Sequence, residues 1–318
     1  MKKKLFFLPF VLFCLSSLLS AEPSRIGYVP GMTAVPFVFM LTEKQNFEFI
    51  EYSDVLSLAE GMKAGEIDAA NLPLNAVVLL FEKTSGAVVC AAVTQNMNYS
   101  VVSPDRITEE AEFSVSSLSD LVGHTLAVPG SGCTRSFVRW ILEQNEIPVG
   151  QGENGIRLLS VDEEPSAVSA LSGGDADAAV LSEPAASVVL STGKKMRRAI
   201  DLQDSYAAVA GKGKSLPITV LAVRAQFADK SYDSFLILLQ SLENSIRRIN
   251  RAPIKAASAA KKARLGLSAS AGNAVARGHF VWRTATQSHA EIGAYIEIYN
   301  SGRTDGKLSV PDKSFFVQ

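Results

Sequence analysis

Residues 61–76 read GMKAGEIDAANLPLNA, and residues 170–185 read ALSGGDADAAVLSEPA. Laid over each other at an offset of 109, Gly65 falls on Gly174, Asp68 on Asp177, and Ala69-Ala70 on Ala178-Ala179. Each copy reads as the end of an amphipathic helix, a glycine C-cap, an aspartate, a short apolar strand and a polar turn that opens another helix. Glycine suits the C-cap because left-handed backbone there crowds a Cβ. A supersecondary unit used twice predicts two similar α/β lobes. In open α/β sheets, ligands bind beyond the carboxyl ends of the strands. Those ends carry Asn71-Leu72-Pro73-Leu74-Asn75 in the first copy and Leu181-Ser182-Glu183-Pro184 in the second. Two such edges facing each other would form a cleft. Chance matching of small residues competes with this reading, and the shared order of features favours the repeat.

Outward from the repeat, strand and helix alternate, which favours a mostly parallel sheet. Strands are predicted at 25–29, 47–51, 68–72 and 88–93, with helices at 34–44, 55–64 and 74–83. A polar break, Gln95-Asn96-Met97-Asn98, reads as a chain crossing. The alternation then restarts, with strands at 125–128, 156–161 and 177–181 and helices at 117–121, 133–145 and 164–172. Residues 216–223 read as a return strand, and 228–301 as mainly helical. There Phe235, Leu239, Leu242, Ile246 and Ile249 form an apolar stripe. The Ala- and Lys-rich run 253–264 reads as a solvated helix. The division predicted is 22–98 plus 223–318 for a discontinuous first lobe and 99–222 for the second.

The first residues speak to compartment. Lys2, Lys3 and Lys4 precede the apolar run Leu5–Leu19, and Ser20 and Ala21 suit a cleavage site. This pattern predicts a secretory signal peptide over 1–21 and a soluble protein in the periplasm or another extracytoplasmic space. Lipidation at Cys14 is the lesser alternative, because Phe13 stands where a small residue is wanted. Without the three lysines of that leader, 28 basic residues stand against 32 acidic ones. A mildly acidic chain argues against a nucleic-acid partner. Cys90 and Cys133 fall in different predicted lobes, so no structural disulfide is expected between them.

Several runs together resemble a known family. These are Ile26-Gly27-Tyr28-Val29-Pro30-Gly31, Gly65 to Ala70, Ser117 to Val128, Gly174 to Ala179 with Glu183-Pro184, and Ile218 to Arg224. In order and spacing the chain resembles the soluble substrate-binding proteins of ABC importers, in the branch of sulfonate, nitrate, taurine and thiamine-precursor binders. The resemblance implies the α/β type 2 periplasmic-binding fold, two lobes that each hold a mixed sheet flanked by helices, with the ligand cleft between them. It also implies a small-molecule ligand, a membrane permease with its ATPase as partners, and a monomer without cofactor.

Candidate contacts follow from the strand ends. Gly130, Ser131, Gly132, Cys133 and Thr134 lie where a strand hands over to a helix. Free N–H groups there favour an anion or a carbonyl-like acceptor, although Ser131 or Thr134 could simply cap the helix. The run also resembles the family's binding loop. Gly31, Met32 and Thr33 hold the same place in the first lobe, where Met32 is either a soft contact or ordinary packing. Asn71 and Asn75, with Pro73 between them, can donate and accept or can serve the loop backbone. Gln95 lies at the crossing. Glu183 could pair with a cationic or amide group, or act as a helix-terminal acid beside Pro184.

Catalytic signals are poor. His124, His279 and His289 are scattered, with no metal-ligand spacing. No nucleophile elbow, P-loop or dinucleotide fingerprint is present. The expectation is therefore a transport binding protein with neither catalytic nor metal site. An enzyme on the same fold, of the thiamine-pyrimidine synthesis or chorismate dehydratase kind, and a ligand-sensing module are the alternatives.

Overall fold

The computed structural model describes residues 23–43, 46–104, 106–107, 112–130, 133–150, 152–192, 195–267 and 270–317. The expected leader with Cys14, and Ser131 and Gly132 of the glycine loop, lie outside these residues. In chain order the strands are β1 (Ser24–Tyr28), β2 (Phe47–Glu51), β3 (Ala69–Pro73), β4 (Val88–Asn96), β5 (Ser100–Pro104), β6 (Arg106–Ile107), β7 (Glu112–Phe113), β8 (Thr125–Pro129), β9 (Arg157–Val161), β10 (Ala178–Leu181), β11 (Met196–Asp201), β12 (Pro217–Arg224) and β13 (Phe280–Thr284).

They build two main sheets. The first has the order β13-β4-β12-β3-β1-β2 and the second the order β11-β5-β10-β8-β9. Both are mixed. β1, β2 and β3 run parallel, as do β8, β9 and β10, while β12, β13, β5 and β11 enter antiparallel. The strand-helix alternation accounts for the parallel parts. The antiparallel strands come from the crossings, where the chain leaves one sheet and returns to it. β4 is buried at all nine positions, which explains the unbroken apolar run Val88–Val93, while the buried polar residues Thr94, Gln95 and Asn96 follow at its end.

The repeat is structural. Gly65 and Gly174 both cap their helices in left-handed backbone, with φ of 78° and 87°. The aspartate of each copy then does one job. Asp68 N donates to Arg25 O at 2.7 Å, and Asp68 Oδ2 accepts from Arg25 N at 2.9 Å. Asp177 N donates to Thr125 O at 2.9 Å, and Asp177 Oδ2 accepts from Thr125 N at 2.9 Å. Each copy thus fastens the start of its strand to the start of the parallel neighbour, β3 to β1 and β10 to β8.

In the first copy the fastening is charged. Arg25 and Arg224 both pair with Asp68. Burial works to raise the Asp68 pKa, but the Arg25 N–H and the two guanidinium groups outweigh it and hold it below the usual carboxylate range. We expect Asp68→Asn to cost about 1.5–3 kcal/mol at neutral pH, the scale of hydrogen bonds to a charged group. A depressed carboxylate stabilises the fold above its unfolded value, near pH 4, and loses that advantage as pH falls through its folded value. Urea titrations of both proteins should therefore converge in acid. A gap that stays constant with pH would contradict the charged clamp.

Other segments depart from expectation. The predicted helix 34–44 begins as a 3₁₀ turn, Met32–Phe37, and turns α-helical only over Val38–Thr42. Pro36 inside it lacks the N–H that a regular helix needs. The stripe on the long helix Tyr232–Arg251 is buried at Phe235, Leu242, Ile246 and Ile249, with Leu238 fully buried and Leu239 at its margin. The run expected to be a solvated helix, Pro253–Lys262, buries Ala256, Ala257 and Ala260 against its neighbours. Its alanines form a packed face and its lysines the wet one. β11, the helix Leu202–Ala210 and β13 were not expected.

β12 pairs with β3 and β4 from its first residues, so a division between 222 and 223 cuts through a strand of the first sheet. The C-terminal helix His289–Asn300 touches β12 of that sheet but is not confined to it. It packs on the helix Thr134–Gln144, where Ser136 Oγ donates to Tyr299 O at 3.1 Å.

Candidate functional site

Four carboxyl ends meet in one hollow of about 380 Å³. β1 contributes Pro30, Gly31, Met32 and Thr33. β3 contributes Pro73 and Asn75, β8 leads to Cys133, and β10 to Ser182, Glu183 and Pro184. The crossing adds Gln95, Asn98 and Tyr99. β12 adds Ile218 and Thr219, and the C-terminal helix adds Tyr295. Hollows of comparable size, about 360–490 Å³, lie elsewhere. This one alone among them is lined from both sheets at their carboxyl ends, where α/β folds place ligands.

Of the expected contacts, Gly31, Met32, Thr33, Pro73, Asn75, Gln95, Cys133 and Glu183 are brought together here. Gly31, at φ 141°, holds a backbone region open mainly to glycine. Asn71 lies beneath the wall. It is buried, and its Nδ2 donates to Thr33 O at 3.3 Å, so it supports the β1 loop. Gly130 is set back. Its N donates to Val161 O at 2.8 Å, and the Arg135 guanidinium packs where a Cβ would stand. Thr134 is buried beside the Tyr99 hydroxyl, behind Cys133.

The polar groups differ in what they have left to offer. Gln95 Nε2 donates to Gly278 O at 2.8 Å, and its Oε1 accepts from Thr219 Oγ1 at 3.0 Å, so its amide is largely consumed by the fold. Asn75 Oδ1 accepts from the Tyr295 hydroxyl at 3.4 Å, which leaves its NH₂ group for the cleft. Burial pushes the Cys133 thiol up to about 12, so it stays protonated at neutral pH. Cys133 and Cys90 are both free and buried. Burial likewise raises the phenols of Tyr99 and Tyr295, which remain neutral donors.

Glu183 has an internal partner. Its carboxylate pairs with Arg198 of β11, and Oε2 accepts from Ser187 N at 3.3 Å in the following helix. The helix-terminal role weighed from the sequence is thus realised, together with a cation that the sequence did not reveal. Arg198 Nε also donates to Ser100 Oγ at 3.1 Å. Next to this pair, Glu164 Oε1 accepts from Ser182 N at 2.8 Å, and burial raises its pKa. Among the described residues, no Lys or Arg lines the cleft.

Sequence reasoning missed Tyr99, Ile218, Thr219 and Tyr295 as lining residues, and read Ser182 and Pro184 only as part of the second strand end. Pro184, Ile218 and Thr219 stand inside the runs that carried the resemblance. Tyr99 directly follows the polar break. Tyr295 has no local signal, since it reaches the cleft from a helix far along the chain.

No family model matches the sequence, and no curated protein matches it. Solved structures do. An ABC transporter protein from Parabacteroides distasonis superposes with a TM-score of 0.73 at 15% identity, over 93% of this chain and 99% of that one. The periplasmic aliphatic sulphonate binding protein SsuA of Escherichia coli gives 0.68 at 14% identity, over 93% and 92%. A Candida albicans protein described as exhibiting the generic periplasmic binding protein structural fold gives 0.52 at 13% identity, over 90% and 92%. At these identities the likeness speaks to architecture, and the chain has the two-lobed α/β fold of the periplasmic binding proteins.

Proposed function

We propose that this protein is the exported solute-binding component of an ABC import system. It captures a small uncharged or zwitterionic organic solute between two lobes and presents it to a membrane permease. The observation that carries this reading is the cleft itself, in which four strand ends present neutral donors and acceptors around a space of about 380 Å³. Its charged lining residue, Glu183, is already paired with Arg198. A neutral wall suits a pyrimidine-like or amino-acid-like solute better than nitrate or phosphate, which call for cations. Among the described lining residues, Cys133 is protonated and Glu183 is paired, which supports capture over an enzyme on the same fold. The lobes proposed follow the two sheets, with crossings after Asn96 and before Pro217 as the hinge.

The test is a thermal-shift screen of pyrimidines and amino acids against sulfonates and inorganic anions. A solute at ~100 times its dissociation constant should add about 2.7 kcal/mol. Small-angle scattering with the best solute should show a smaller particle, and no product should form. A response confined to inorganic anions would overturn the ligand class. A saturated but unchanged particle would overturn hinge closure, and turnover of the solute would replace capture with catalysis.

A further inference from the structure

One side chain touches the neighbourhoods of both crossings. His279 lies just before β13, and its carbonyl accepts from Asn96 N at 3.0 Å. Its Nδ1 lies 2.6 Å from Met97 O, on the segment that leaves the first sheet. Its Nε2 lies 3.4 Å from Asp201 Oδ2, at the end of β11 in the second sheet. Met97 N donates to Leu216 O at 2.8 Å, which ties the outgoing segment to the returning one. Asp201 Oδ1 accepts from Gln203 N at 2.9 Å and so caps the helix Leu202–Ala210. His279 therefore stands between the end of the first sheet and a helix start in the second. Its backbone is held at φ 49°, an uncommon region for a residue with a Cβ.

Both ring nitrogens face acceptors. A neutral imidazole carries one N–H and can donate to Met97 O or to Asp201 Oδ2, whereas the imidazolium donates to both. The charged groups acting on the ring are Asp201 and Asp204, both acids from the side of the second sheet. On the β4 side the ring meets the Met97 carbonyl, and the Arg283 guanidinium is held by the Asn96 side chain.

We propose that His279 is a proton-controlled strut across the two crossings. Charged, it ties the end of β4 to the start of the helix Leu202–Ala210. Neutral, it keeps one tie and releases the other, so the opening between the two sheets depends on pH. The Asp201 bond raises the pKa of His279; burial opposes this, and the Met97 carbonyl adds to it. Burial works to raise Asp201, but the bond and charge of His279 together with the Gln203 and Asp204 N–H groups outweigh it and lower it. A raised histidine gives the strut in full below its unfolded value of about 6.5, and the strut is lost as pH climbs through the higher folded value. A lowered aspartate keeps its charge down to the acid side of about pH 4. The strut thus operates between those limits.

The experiment uses the ligand-free protein, so its outcome does not depend on the solute-capture reading. Small-angle scattering is recorded at about pH 5.5 and about pH 8, on either side of the usual histidine range. Wild type should have the larger radius of gyration at the higher pH, and His279→Gln the same radius at both. In NMR titrations the His279 ring of wild type should titrate above about 6.5 and should fall toward that value in Asp201→Asn. Asp201→Asn retains a capping oxygen, so it gives the same reading if His279→Gln does not fold. A wild-type radius that ignores pH would overturn the proposal. So would a pH response that survives intact in whichever of the two variants folds.

Discussion

Replacing Arg198 with methionine should remove about 3–5 kcal/mol of stability, the cost of breaking one side of a buried ion pair. The Glu183 side chain is 1% exposed and that of Arg198 14%, so neither charge has water to fall back on. Without the guanidinium, the donor that Glu183 keeps among the described residues is Ser187 N, at 3.3 Å. Glu183 would also stand uncompensated beside Glu164, a carboxyl already made harder to ionise by burial. The double variant Arg198→Met with Glu183→Gln should recover most of the loss, because a neutral pair has no charge to strand. Urea unfolding at neutral pH reads both values. Single and double variants that both lie within about 1 kcal/mol of wild type would mean that the pair does not hold the cleft wall, since exposed pairs contribute on that scale.

Tyr295→Ala should cost a similar amount, about 3–5 kcal/mol, by analogy with large aromatic truncations in cores. Tyr295 is 2% exposed, its ring stacks on Tyr299 with centroids 6.2 Å apart, and its hydroxyl reaches Asn75. It arises from a helix packed on Thr134–Gln144, yet it touches the helix that follows β3. Truncation would therefore open a void where the two halves of the cleft wall join. Tyr295→Phe keeps the ring and should lose only about 1 kcal/mol, the scale of one neutral hydrogen bond. Equal losses in the two variants would mean that the hydroxyl, rather than the ring, supports the wall.

The fold was legible where local chemistry repeats. Gly65 and Gly174, Asp68 and Asp177 carry the same capping and fastening geometry, and short-range patterns of that kind survive in sequence. The cleft was legible at the carboxyl ends of β1, β3 and β10, because each strand is followed by its own loop. Illegible parts depend on partners distant in the chain. Arg198 could not be matched to Glu183, because β11 reads as a mixed run of charged and apolar residues with no alternation. β13 follows a long helical stretch, and its pairing with β4 is decided by an open sheet edge. The alanines of Pro253–Lys262 are as compatible with water as with a core, and only their neighbours decide.

The position of β12 has a consequence for assembly. It lies between β3 and β4, which precede it by more than a hundred residues, and it joins them in the sheet. Until residue 224 is available, β3 and β4 present bare facing edges, the kind of surface that recruits foreign strands. All strands of the second sheet fall within residues 100–201, so its ladder can close while the first is still a pair of fragments. Chain order thus lets the inserted sheet close by itself and leaves the enclosing sheet dependent on it, because the second half must be threaded out and back before the gap between β3 and β4 is filled. Long-range closure of that sort is slow relative to local pairing. The interval in which the first half is vulnerable is set by the length of the segment inserted into it.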